Sequence, residues 1–212
     1  MQPCDYQGAQ YVLTFTPLPA VQLAELLDGA QTLEQDSFGP KVYRLRDGNM
    51  LKLFRRKRLF SSALLQPHSQ RFCANAASLQ AQGIQTLKPL HLYRLDDPAW
   101  TAVLYRPLPG ETLSELLRVN DDLWPTLVPK LAAFIKHLHR CGVYFRSLHL
   151  GNIILTADGQ FGLIDIADLQ HRRRPLSRHL IRRNREHFEK YIRKEGFAFN
   201  SAGLWNHYQN IG

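Results

Sequence analysis

The sequence predicts an α+β chain, sheet-dominated in its first half and mainly helical in its second. Short runs of alternating apolar and polar residues, each bounded by turn residues, fill the region before residue 106. In Thr112 to Val119, Leu123 to Arg140 and Leu176 to Lys194 apolar residues instead recur at intervals of three and four. Separating the two regimes is Arg106-Pro107-Leu108-Pro109-Gly110, whose prolines favour an extended connector. The expected division is therefore residues 1–106, a sheet with one helix, and residues 107–212, a helical region.

Taken in order, Tyr11 to Thr16 (YVLTFT) predicts a strand and Val21 to Leu27 a short helix. Lys41 to Leu45 and Met50 to Phe54 alternate about Arg46-Asp47-Gly48-Asn49 and predict a hairpin with Lys52 in its second strand. His68 to Gln82 carries Phe72, Ala76 and Leu79 at helical spacing and stops at Gly83. Leu87 to Leu95 and Trp100 to Tyr105 complete the sheet. After the connector, Thr112 with Glu115 three residues on is a capping box opening a helix to Val119. A longer helix runs from Leu123 to Arg140, with Leu127, Leu131, Phe134, Ile135 and Leu138 inward and Gly142 as its stop. Asn152 to Leu155 and Gln160 to Ile164 predict a second hairpin about Asp158-Gly159, which brings Asn152 and Asp165 to adjacent strand ends. Leu176 to Lys194 predicts an amphipathic helix with arginines between its apolar positions.

With 212 residues and 44% hydrophobic content the chain can bury a core, which excludes disordered and collagen-like classes. MQPCDYQGAQ has neither the basic start nor the apolar run of a secretory signal, and no stretch reaches the roughly 18 apolar residues of a membrane span. Cys4, Cys73 and Cys141 lack C-x-x-C spacing and are expected as reduced thiols, so a cytoplasmic location is expected. The net charge of +9 concentrates in Arg55-Arg56-Lys57-Arg58 and in Arg172 to Lys194. Such runs are either solvated faces or attract phosphate on nucleic acid, an anionic lipid surface or a phosphorylated sugar; the lipid reading places the protein at the anionic inner face of the cytoplasmic membrane. No RNP, helix-turn-helix or zinc-finger signature accompanies the charge, which argues against nucleic acid as the partner.

Val143 to Asp168, VYFRSLHLGNIILTADGQFGLIDIAD, has the spacing of a kinase phosphate-transfer centre. Phe145-Arg146-Ser147-Leu148 stands for H-R-D-L, Asn152 keeps its place five residues after Ser147, and Asp165-Ile166-Ala167 stands for D-F-G. Met50-Leu51-Lys52-Leu53-Phe54 looks like the strand bearing the phosphate-binding lysine. Leu108-Pro109-Gly110-Glu111-Thr112-Leu113 looks like the exit from a hinge, and Ile135 to Val143 like the helix running into a catalytic loop. From about Lys41 to Tyr191 the chain resembles the protein-kinase-like superfamily, and within it the bacterial lipopolysaccharide-core and Kdo kinase group that includes toluene-tolerance proteins.

The resemblance implies a two-lobed fold with a small N-terminal sheet lobe and a truncated helical C-terminal lobe, ATP and magnesium as cofactors, and phosphoryl transfer to a small-molecule or glycolipid acceptor. It implies nucleotide contacts from Lys52, Asn75, Asn152 and Asp165, with Asn152 and Asp165 as the magnesium ligands. A carboxylate between Ile164 and Ile166 independently calls for a partner such as a metal. Departures are equally specific. Asp36 to Val42 offers one glycine where kinases have a glycine-rich loop, and Arg71 to Ala76 contains no acid, leaving Asn75 in the place of the lysine-pairing glutamate. The stretch after Asp165 is expected to leave no room for the helices of a protein-substrate platform, so a small or membrane-presented substrate is expected. Ser147 replaces the catalytic base, which leaves two functions open: a kinase in which Arg146, Ser147 and His149 serve catalysis, or a pseudokinase acting as a nucleotide-binding or scaffold module. Ser147 alone means a dead loop, His149 alone a structural imidazole, Asn152 alone a turn residue, and Lys52 alone an outward strand lysine. Asp168 is expected to cap the following turn.

Overall fold

The computed structural model describes residues 13–56 and 67–211. It is an α+β structure, rich in strands early and in helices later. The described chain divides into two units: residues 13–56, 67–78 and 86–107 form the first, and residues 79–85 with 108–211 the second.

The first unit begins with β1 (Phe15–Leu18), α1 (Ala20–Leu27), β2 (Gln31–Asp36), β3 (Gly39–Arg44) and β4 (Met50–Arg55). There follow α2 (His68–Ala81), whose residues 79–81 belong to the second unit, the two-residue β5 (Gln85–Thr86) at the boundary between the units, β6 (Lys88–Leu95) and β7 (Trp100–Arg106). Six strands form one sheet in the order β1-β6-β7-β4-β3-β2, with β1 parallel to β6 and the other pairs antiparallel. Residues paired directly across antiparallel strands share a face, so the register sorts the sheet into two layers. Tyr43, Leu51 and Leu104 align on one side, where Leu23, Leu26 and Leu27 of α1 pack onto a core of Leu45, Leu51 and Ala102. Val42, Lys52 and Val103 align on the other. There Phe72 of α2 is fully buried, with its ring 5.5 Å from both Phe54 and Tyr105. Burying a phenyl ring of this kind contributes roughly 1.5–3 kcal/mol.

Three readings change. The first strand runs Phe15–Leu18, and Tyr11 and Val12 lie outside the described residues. β2 was not expected: every residue of QTLEQD is exposed, so this edge strand has no apolar alternation to announce it. Cys141 is disulfide-bonded, which corrects the expectation of three reduced thiols; Cys73 is free and buried. Sequence spacing does not reveal which sulfurs meet in space.

The second unit contains β8 (Glu111–Thr112), α3 (Leu113–Val119), α4 (Trp124–Arg140), β9 (Val143–Phe145), β10 (Ile153–Leu155), β11 (Phe161–Leu163), β12 (Leu169–His171), α5 (Arg178–Lys194) and α6 (Ala202–Asn210). Thr112 and Glu115 form the expected reciprocal capping box of α3. Gly142 ends α4 at φ +72, and a Cβ there would lie 2.3 Å from the Arg172 carbonyl oxygen, so the sharp entry into β9 requires glycine. β9 pairs antiparallel with β12, and β10 with β11. These two ribbons hold the segments 146–152 and 164–168 side by side. Among the described residues no helix is long and apolar enough to cross a membrane.

Candidate functional site

The loop from Arg146 to Asn152 is built on an anchored strand. Phe145 is buried at the end of β9, and its carbonyl accepts a 2.7 Å hydrogen bond from Asn184 Nδ2 of α5. Asn184 Oδ1 lies 3.2 Å from His139 Nε2, and His139 Nδ1 lies 2.9 Å from the Tyr208 hydroxyl. Three helices thus fix one backbone carbonyl. Burial pulls His139 down to about 4, opposed in part by the Asn184 hydrogen bond, so its ring is neutral at pH 7 with Nε2–H donating and Nδ1 accepting.

Asn152, almost fully buried, donates from Nδ2 to the Ser147 carbonyl at 2.9 Å and approaches His149 Nε2 at 3.2 Å. Pairing of Ile153 with Leu163, extended by the Ile164 N–H donating to the Asn152 carbonyl at 3.1 Å, puts Asn152 across from the residue before Asp165. The hairpin therefore brings the two expected metal ligands to neighbouring strand ends, as the sequence pattern implied. Asp165 takes φ +50, the left-handed region, and is the only non-glycine residue to do so among those described. The residue is exposed although Ile164 and Ile166 flank it. Among the described residues no cluster of three or more His, Cys, Asp or Glu is placed to hold a metal. One amide and one carboxylate still suit magnesium, which keeps several waters and takes further oxygens from phosphate.

His149 stacks on Tyr191 with ring centres 4.1 Å apart and 5° between planes, and His187 lies beyond at 5.9 Å. Burial lowers it to about 4; the neighbouring His187 lowers it further, while Asp165, Asp168 and Glu195 raise it. Its Nε2 faces Asn152, and its Nδ1 is buried without a hydrogen-bond partner among the described residues. The ring is neutral at pH 7 and held in place. Gly151 keeps the stack closed: a Cβ there would sit 2.7 Å from the Tyr191 hydroxyl, which itself donates to Ser114 Oγ at 3.2 Å.

Asp168 does not cap the following turn as expected. Its Oδ2 accepts from Ser147 Oγ at 2.7 Å and from Arg146 Nε at 3.2 Å, while Oδ1 is buried with no partner among the described residues. The two loops that flank the hairpin are tied together through this carboxylate. Sequence reading missed both this pair and Asn184. A signal for Asn184 existed, because it is the polar member of the Leu180, Asn184, Phe188, Ile192 row on α5.

In the first unit Lys52 is half-buried on the α2 side of the sheet, with Nζ 5.9 Å from the ring centres of Phe54 and Phe72. An ammonium on this apolar layer is not the ordinary outward lysine, and ring faces offset part of its desolvation. Asn75 is buried three residues beyond Phe72, on the same face of α2. No protein-family model matches this chain, and no curated protein matches it.

Proposed function

We propose that the chain is an ATP- and magnesium-dependent phosphotransferase of protein-kinase-like, two-lobed architecture, acting on a sugar hydroxyl of a lipopolysaccharide core or on another small or glycolipid acceptor. The observation that carries the reading is the junction of Asn152 and Asp165 at the ends of one hairpin, with the Asn152 amide tied to the Ser147 carbonyl. In this reading Asn152 and Asp165 hold magnesium, and Lys52 contributes a phosphate contact with Asn75 as its neutral neighbour. Arg146, Ser147 and His149 line the transfer loop. Phosphoryl transfer depends chiefly on positioning and charge neutralisation, so replacement of the usual base by Ser147 does not by itself remove activity.

Ser147 also favours a second reading, a pseudokinase that binds nucleotide or serves as a scaffold. Incubation with MgATP and a deacylated lipopolysaccharide-core oligosaccharide, read by mass spectrometry, tests the first. A phosphorylated oligosaccharide supports transferase function. No product from the wild type but product from Ser147→Asp supports the pseudokinase.

The exposed arginines of α5 and the Arg55 to Arg58 cluster, of which residues 57 and 58 lie outside the described chain, support peripheral attachment to an anionic membrane from the cytoplasmic side.

A further inference from the structure

Ser147 stands where the transfer loop needs a proton acceptor, and a lone serine hydroxyl is too weak a base to be one. Other candidates in the loop are spoken for. Arg146 is a cation, exposed and turned onto Asp168. His149 has its Nε2 on Asn152 and its Nδ1 buried. What remains is the Asp168 carboxylate, 2.7 Å from Ser147 Oγ, brought there from the far side of the hairpin by the pairing of β9 with β12. A carboxylate serving only as a brace would have both oxygens satisfied. Here Ser147 and Arg146 both bond Oδ2, and Oδ1 has no partner among the described residues.

We infer that Ser147 and Asp168 form a two-residue proton relay that replaces the missing base. The inference rests on the phosphotransferase reading. As the acceptor oxygen bonds to the terminal phosphorus of ATP, its proton passes to Ser147 Oγ, and the Ser147 proton passes to Asp168 Oδ2. The bond from that phosphorus to the bridging oxygen breaks, and ADP leaves with the electron pair. Asp168, whose side chain is 22% exposed, then returns the proton to water. Arg146 Nε holds Oδ2 in line, and the Asn152 bond to the Ser147 carbonyl holds the hydroxyl in the loop that carries the metal ligands.

The test uses the full chain, with MgATP as probe and water as acceptor, reading ADP release alongside MgATP affinity by calorimetry. Asp168→Asn and Ser147→Ala are each expected to slow ADP release on the order of 100-fold, and the double variant to lose no more than either single one. MgATP affinity is the folding control for each variant. The decisive protein is Ser147→Asp with Asp168→Asn, which returns a carboxylate directly to the base position and should recover to within about tenfold of wild type; a purely structural Asp168 would not be rescued this way. Rates of Asp168→Asn within about threefold of wild type, or no recovery in a double variant that still binds MgATP, overturn the relay. So does a phosphate covalently attached to Ser147. MgATP bound by the wild type without turnover overturns the relay but leaves the nucleotide site standing, whereas no binding at all defeats the phosphotransferase reading and the relay with it.

Discussion

Mild acid should loosen the second unit through His139. This ring is 2% exposed between Asn184 and Tyr208, and burial lowers it from 6.5 to about 4. The folded-state value is depressed for a group that is cationic when protonated, so the unfolded chain takes up the proton first. Stability is therefore complete above pH 6.5 and lost as the pH falls toward 4. At pH 4.5 the loss from this one ring is about 2–3 kcal/mol. Urea denaturation between pH 4.5 and 7.5, followed by fluorescence that includes the buried Trp124 and Trp205, measures it. The comparison is His139→Gln, whose amide can donate to Asn184 Oδ1 without titrating. His149 and His171, also lowered to about 4 chiefly by burial, are present in both proteins and cancel. Below pH 6 the wild type should lose about 1.4 kcal/mol more per pH unit than the variant. Equal slopes would refute the account of His139 as a buried neutral ring.

Asn184→Ala leaves the Phe145 carbonyl and the His139 N–H without partners, and should cost about 2–4 kcal/mol in urea denaturation. Asp165→Gly removes the side chain from a left-handed backbone position, so thermal unfolding should show it equal to wild type or more stable by up to about 1 kcal/mol, even as calorimetry shows weaker magnesium-dependent ATP binding. Vesicles with anionic lipid should retain the protein at low salt and release it at moderate ionic strength, each basic residue contributing on the order of 1 kcal/mol near the surface. Retention of RNA on a filter without vesicle binding would transfer that charge to nucleic acid.

Where the chain announces its structure, it does so through pattern. The hairpin about Asp47-Gly48, the capping box at Thr112, the stop at Gly142 and the amphipathic α5 are local signals, and the structure has each of them. The Asn152 and Asp165 strand ends were equally legible, because two short runs and an Asp-Gly turn fix their register. What stayed hidden depends on long-range assembly. β2 is an exposed edge that pairs without apolar alternation, and α6 is too short and mixed to stand out. The Ser147 to Asp168 bond spans 21 residues and exists only because β9 and β12 pair. Asp165 lies between two isoleucines, yet it is exposed and takes a left-handed backbone that no local pattern announces.

The most direct measurement is a calorimetric titration of ATP into the full chain, with and without magnesium, for the wild type and Asp165→Ala. The account predicts that magnesium tightens ATP binding to the wild type and that Asp165→Ala loses most of this gain, at least tenfold in affinity, because phosphate charge then rests on protein cations alone. Equal affinity in the two proteins, or no ATP binding by either, would contradict it.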